Sequence, residues 1–405
     1  MAKRTNRRAR VTPAEDGAVA AAPPSPSWRE LVADVGVPFA VAKTLLLIVS
    51  WLFATQSRGL TWIPQFAQRG WAYTPIRWLD VWARWDSDWY IKIIKNGYSS
   101  VGYATGDYTS LAFFPVYPQT VRLLYRALPL AWQGDLAAVV LGVLVANLCA
   151  LGALTILYWH VRARFQDRTM AQRSVIGLLA FPTAFFLGCV FTESTFLLLS
   201  VAAYHMAWRR RWAAAVVLGG MLSATRAVGV LIVLPFLWIQ MEDAGFKLGA
   251  LLRRAGWLLL VPAGFVAYAF YLWRVTGDLG AVVIAQRAWQ REFSSPLALF
   301  GDPRNPYGDI IQVDRFLTLA FSAVAVWLLS RRAWRADGLL IVITLLSFVF
   351  TGTPLAASRY LLVAFPLFVW LAGQTSEAVR TGYLIAAATT QTALWVLWVL
   401  MRWVA

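Results

Sequence analysis

Charge is scarce in this sequence. Only 14% of its 405 residues are charged, against about a quarter in a soluble domain. A soluble chain of this length could not cover its surface with so few charges. Cysteine is scarcer still. Cys149 and Cys189, both in apolar segments, make no disulfide framework and no metal spacing. The two histidines, His160 and His205, end different apolar runs and form no ligand cluster, so the sequence predicts no zinc or haem site. Acidic residues number 20 against 37 basic ones. The net charge of +17 comes without a soluble basic face, which argues against nucleic acid as a partner. No Walker A loop is present, and the glycine-rich spots do not follow strands, so a nucleotide-sugar enzyme is disfavoured.

What is present is apolar. Hydrophobic residues make up 59% of the chain, and the mean hydropathy is +0.58. They come in long blocks rather than alternating segments, which predicts bilayer-spanning helices and disfavours a β-barrel. Many of the 22 tryptophans lie near block ends, where interfacial anchoring places them. The chain reads as an all-α polytopic membrane protein.

Residues 1–34 read as a disordered, basic, cytoplasmic tail, and 35–405 as one transmembrane domain. The first span is 38–55, a signal anchor rather than a cleaved peptide. Later spans fall near 136–160, 174–188, 191–208, 212–224, 228–241, 255–274, 316–330, 338–352, 358–373 and 382–401, roughly eleven in all. Several are shorter than a full crossing needs and read equally as short helices inside the protein or as halves of broken ones. The segment 111–132 reads as lying along the interface.

Basic clusters sit in the tail, at Arg162/Arg164/Arg168/Arg173, at Arg209/Arg210/Arg211, at Lys247/Arg253/Arg254 and at Arg331/Arg332/Arg335. All five share one side if the tail is cytoplasmic, as the positive-inside rule requires. The outer loops are then 56–135 and 275–315, with tight outer turns near 189–192, 225–227 and 353–358.

Three groups on that outer side could carry chemistry. In Arg84-Trp85-Asp86-Ser87-Asp88-Trp89-Tyr90, two carboxylates framed by aromatic rings suit general-base work or metal binding beside a sugar. The same segment reads equally as a solvated loop with anchoring tryptophans, since D-x-D spacing is weak. Glu193, Arg226 and Arg359 lie in or beside apolar blocks, where charge is costly and turns to a cavity or a partner. A guanidinium there suits phosphate. Glu193 also reads as a structural pair for either arginine. Gln286, Arg287, Trp289, Arg291 and Glu292 suit a carbohydrate or a lipid headgroup, or a plain solvated helix.

With these residues assembled, the chain resembles a known family. Residues 84–98 resemble the W-D-x-x-W/H-Y…G-Y signature of PIG-V-type mannosyltransferases, and Phe113-Phe114-Pro115-Val116-Tyr117-Pro118 is similar to the family's F-F-P-x-Y-P. The resemblance continues at Phe191-Thr192-Glu193-Ser194, at Ala224-Thr225-Arg226 with Gly229, at Ser358-Arg359-Tyr360 with Phe365-Pro366, and more loosely at Gln286–Arg291. It implies a GT-C glycosyltransferase bundle with an outer-face active-site loop. It implies a polyprenyl-phosphate-linked sugar donor, typically mannose, and inversion at the anomeric carbon. It implies Asp86 as catalytic base, with Asp88 as second candidate in a position that departs from the family's usual residue. Arg226 and Arg359 would hold donor phosphate, and Trp85, Trp89, Tyr90, Glu193, Gln286 and Trp289 would contact sugar or acceptor. No protein-held metal is predicted, and a bridging divalent cation stays open. Frequent Ala and Arg and the short chain point to a bacterial plasma membrane. The acceptor, whether lipid, glycan or protein, is not chosen. The alternative is a lipid or glycolipid transporter.

Overall fold

The computed structural model describes residues 26–56, 71–289, 294–300, 308–350, 356–374 and 376–404; every described element is helical. Helix α1 spans Trp28–Gln56. Then come α2 (Ser87–Asn96), α3 (Val116–Arg126), α4 (Asp135–Phe165), α5 (Arg168–Leu179), α6 (Glu193–Trp208), α7 (Trp212–Ser223) and α8 (Val233–Asp243). The chain continues with α9 (Gly256–Thr276), α10 (Gly308–Ser330), α11 (Arg335–Val349), α12 (Ala357–Leu361), α13 (Pro366–Ala372) and α14 (Glu377–Val399).

Five of these are long and apolar enough to cross a membrane, namely α1, α4, α9, α10 from Ile311, and α14. The chain is an integral membrane protein. Eleven continuous spans are not what forms. The blocks 174–188 and 358–373 break into short pieces, ending at Leu179 and restarting at Pro366, because proline cannot supply the next helical N–H. Helices α5, α6 and α7 run for only 12, 16 and 12 residues. Packing between α4 and α6, and between α6 and α7, covers what length does not.

The N-terminal boundary also moves. The helix begins at Trp28, capped by the Ser27 side chain, so residues 28–34 belong to the body rather than to the tail. Two acids in this first stretch explain the shift. Glu30 pairs with Arg162 at 3.2 Å and Asp34 with Arg168 at 2.7 Å. Residues 1–25 lie outside the described residues, as do 57–70 of the first outer loop. The rest of that loop folds onto the bundle through α2 and α3. Arg122 on α3 donates to the carbonyls of Ile93 and Ile94 in the last turn of α2, where Ile93 also accepts from the Gly97 amide.

Two long helices set the polarity of the molecule. Helix α4 runs from Asp135, paired with Lys95 of α2 at 2.5 Å, to Arg162 and Arg164 in its last turn. Helix α6 runs from Glu193 to Trp208, followed by Arg209–Arg211. Its 16 residues separate Glu193 from the basic cluster by about 24 Å. Arg164 meets Asp337 of α11 at 2.8 Å, and Arg210 meets Asp243 of α8 at 2.6 Å. The basic clusters at 162–168, 209–211 and 331–335 thus gather at the end opposite α2. His160 and His205, read from sequence as separate, also meet near the basic end, with Nδ1 atoms 3.3 Å apart.

Candidate active site

The segment before α2 is held by a buried knot. Asp80 accepts from the amides of Ala72, Tyr73 and Thr74 and pairs with Arg84 at 2.7 Å. Both side chains are almost fully buried. Three amides and a guanidinium satisfy the carboxylate, which is what a buried charge requires. Immediately after Arg84, Trp85 takes a left-handed conformation at φ 54°. This sharp reversal starts α2 and leaves Asp86 immediately before its first turn. Gly97 closes the helix at φ 87°, a conformation open to glycine at little cost, which accounts for the Gly97-Tyr98 pair of the signature.

Asp86 faces a cavity of about 400 Å³, within the range of small-molecule sites. The wall also includes Tyr90, Phe113, Thr192, Arg226, Gln286, Trp289, Arg359 and Tyr360. Arg359 Nη1 lies 3.4 Å from Asp86 Oδ2, and its Nε lies 3.1 Å from Glu193 Oε1. Arg226 bonds the same Glu193 oxygen and takes Thr192 Oγ1 as acceptor at 3.0 Å. One carboxylate therefore serves two guanidiniums. Glu193 is fully buried in the first turn of α6, where the helix dipole favours its charge.

Aromatic faces enclose the arginines. The Arg359 guanidinium sits 5.2 Å from the Phe191 ring and 5.5 Å from Phe186. Arg226 sits 5.1 Å from Tyr360 and 5.6 Å from Phe196. Such stacking holds a guanidinium without neutralising it. The Arg226 turn depends on Gly229, where a Cβ would lie 2.4 Å from the carbonyl oxygen of Leu222. Only glycine lets this turn fold back against the end of α7.

Arg226, Glu193, Arg359 and Asp86, far apart in sequence, are thus brought together. Tyr90, Gln286 and Trp289 join them. Gln286 donates to the Ala112 carbonyl at 2.8 Å, and Trp289 packs edge-on against Trp89 and Phe113. Burial, and next the Glu193 carboxylate, push the Tyr90 phenol well above its ordinary range, so it stays a neutral donor. Asp88 is not brought to the wall. It accepts from the Tyr73 hydroxyl at 3.0 Å and pairs with Lys92 at 2.5 Å, with 43% of its side chain exposed. Trp85 turns instead against Trp403. Arg291 and Glu292 lie outside the described residues.

Sequence reasoning missed Thr192, the Asp80–Arg84 knot and Phe113 as wall. Thr192 adjoins a flagged acid, which was signal enough to include it. The knot has no signature beyond an acid and an arginine four residues apart.

The sequence profile of a family described as Mannosyltransferase (PIG-V) matches residues 73–266, which include Asp86, Glu193 and Arg226. Among curated proteins, none matches by sequence. The fold is similar to that of ArnT from Cupriavidus metallidurans, crystallised with undecaprenyl phosphate. The TM-score is 0.52 at 15% identity, covering 88% of this chain and 63% of that one. The chain thus spans less than two thirds of that enzyme's length. An Archaeoglobus fulgidus oligosaccharyltransferase, tethered to an acceptor peptide, aligns at a TM-score of 0.44 and 12% identity, over 89% of this chain and 55% of that one. The profile of the PIG-V mannosyltransferase family thus matches just under half of this chain, residues 73–266 of 405, and the helical fold is similar to that of ArnT.

Proposed function

We propose that this enzyme transfers mannose from a polyprenyl-phosphate carrier to an acceptor hydroxyl, on the membrane side opposite its basic clusters. The observation that carries this reading is Asp86 within 3.4 Å of Arg359, which shares Glu193 with Arg226 on the wall of one cavity.

Donor phosphate lies against Arg226 and Arg359, with Glu193 fixing both guanidiniums. The prenyl chain leaves along the apolar part of the wall, at Phe114, Phe265, Val282 and Val283. Trp289 and Gln286 meet the sugar or the acceptor, with Trp89 packed against Trp289. The acceptor oxygen attacks the anomeric carbon as Asp86 takes its proton. The bond from that carbon to the phosphate oxygen breaks, and its electron pair leaves with polyprenyl phosphate. The arginines stabilise the charge that develops there. One displacement inverts the anomeric centre.

The residues present do not fit a protein-held metal. Both cavity acids face guanidinium groups, and no cluster of three or more His, Cys, Asp or Glu occurs among the described residues. The arginines supply the counter-charge instead. The shorter helices, packed beside the five long ones, complete the crossing in the manner of a GT-C bundle, with the +17 charge biased to the cytoplasm.

Purified protein given radiolabelled mannose on polyprenyl phosphate, or on a nucleotide diphosphate, tests the donor class. Transfer from the lipid carrier alone is expected. Transfer from the nucleotide sugar alone, or carrier flux across vesicles without sugar transfer, would overturn it.

A further inference from the structure

We infer that Asp314 is a positioning residue that holds Arg359 in its phosphate-binding place. The inference rests on the donor reading above.

Asp314 lies on α10 and is 1% exposed. Its Oδ1 accepts the amide of Ser358 at 2.8 Å. From the other side, the Thr183 hydroxyl donates to the carbonyl of the same Ser358 at 2.9 Å. Both backbone groups of the residue before Arg359 are thus gripped by buried side chains from two distant segments. The turn needs holding. Ala356 has φ 67°, a left-handed conformation that residues with a Cβ rarely adopt, and α12 is only five residues long. Such a backbone persists only where its surroundings over-determine it.

The remaining oxygen of Asp314, Oδ2, is buried without a partner among the described residues. A buried carboxylate left half-satisfied is a cost that packing does not recover. It is intelligible where the group serves a site, and the site one residue along is Arg359. That guanidinium is already committed to Asp86 and Glu193, so a small shift of its backbone would move it from both. Asp314 touches neither substrate nor the cavity wall. It acts through Arg359.

The test is equilibrium binding of undecaprenyl phosphate to the full chain in detergent or nanodiscs. The variants are Asp314→Ala, Asp314→Asn, Arg359→Ala and the Asp314→Ala/Arg359→Ala double. Asp314→Ala should weaken binding about tenfold to a hundredfold. Asp314→Asn keeps an acceptor oxygen for the Ser358 amide and should bind close to wild type. In the Arg359→Ala background, Asp314→Ala should cost nothing further, because the two act as one unit. Additive losses, or wild-type affinity in Asp314→Ala, would overturn the inference and leave the donor reading intact. A wild-type protein that does not bind undecaprenyl phosphate would remove both. Should Asp314→Ala not fold, Thr183→Val releases the other side of the same peptide and carries the same predictions.

Discussion

The two ends of this bundle use the same pair of groups, guanidinium and carboxylate, in opposite proportions. At the basic end four cations each have their own acid: Arg162 with Glu30, Arg168 with Asp34, Arg164 with Asp337, Arg210 with Asp243. These pairs join α1, α4, α5, α8 and α11, and act as staples between helices. At the other end Arg226 and Arg359 share Glu193, and Arg359 reaches on to Asp86 beside an open cavity. One-to-one pairing holds helices together. Shared pairing around a cavity leaves guanidinium charge for a ligand. The position of a charge within an apolar sequence does not distinguish the two uses, but the stoichiometry of its partners does.

Variants at the two ends should therefore fail differently. The largest effect is expected for Asp86→Asn, which keeps shape and removes the proposed base. Mannosyl transfer should fall by about 10²–10⁴-fold, while saturation binding of the donor survives. Arg226→Ala and Arg359→Ala each remove a guanidinium proposed to face the leaving phosphate, and turnover should fall by about 10²-fold or more, with donor binding weakened in titrations. Arg164→Ala sharpens the contrast. It leaves Asp337 buried and unpaired, a loss of about 3–5 kcal/mol, visible as a lower melting temperature, while the protein that stays folded keeps kcat/KM. Asp88→Asn should do least. Its pair with Lys92 is exposed on both sides, worth roughly 0.2–1 kcal/mol, and transfer rates should match wild type. A rate loss in Asp88→Asn as large as that in Asp86→Asn would break the distinction between the two acids.

The site was legible where the sequence pays an evident physical cost. Glu193, Arg226 and Arg359 are charges in apolar blocks, and such charges turn inward to partners. Asp86 was legible through the aromatic residues around it and the order of motifs after it. The reading that Glu193 pairs with an arginine and the reading that the arginines serve a ligand turned out compatible, since Glu193 pairs with both. Other features left no trace. The grip of Asp314 on Ser358 crosses 44 residues, and that of Thr183 crosses 175. Contacts between distant loops carry no periodicity. The sequence drew about eleven spans where five described helices are long enough to cross alone, for a related reason. Hydropathy marks a segment as buried without saying whether lipid or protein buries it, and α6, with nearly every side chain covered by its neighbours, is buried by protein.

The measurement that bears most directly on Asp86 acting beside two guanidiniums is the anomeric configuration of the mannosylated product. It is read by NMR on product made by wild type and by Asp86→Asn from the same polyprenyl-phosphate donor. The account predicts the inverted anomer from wild type and no product above background from Asp86→Asn, although that variant binds donor. A product of retained configuration, or equal yields from the two proteins, would contradict it.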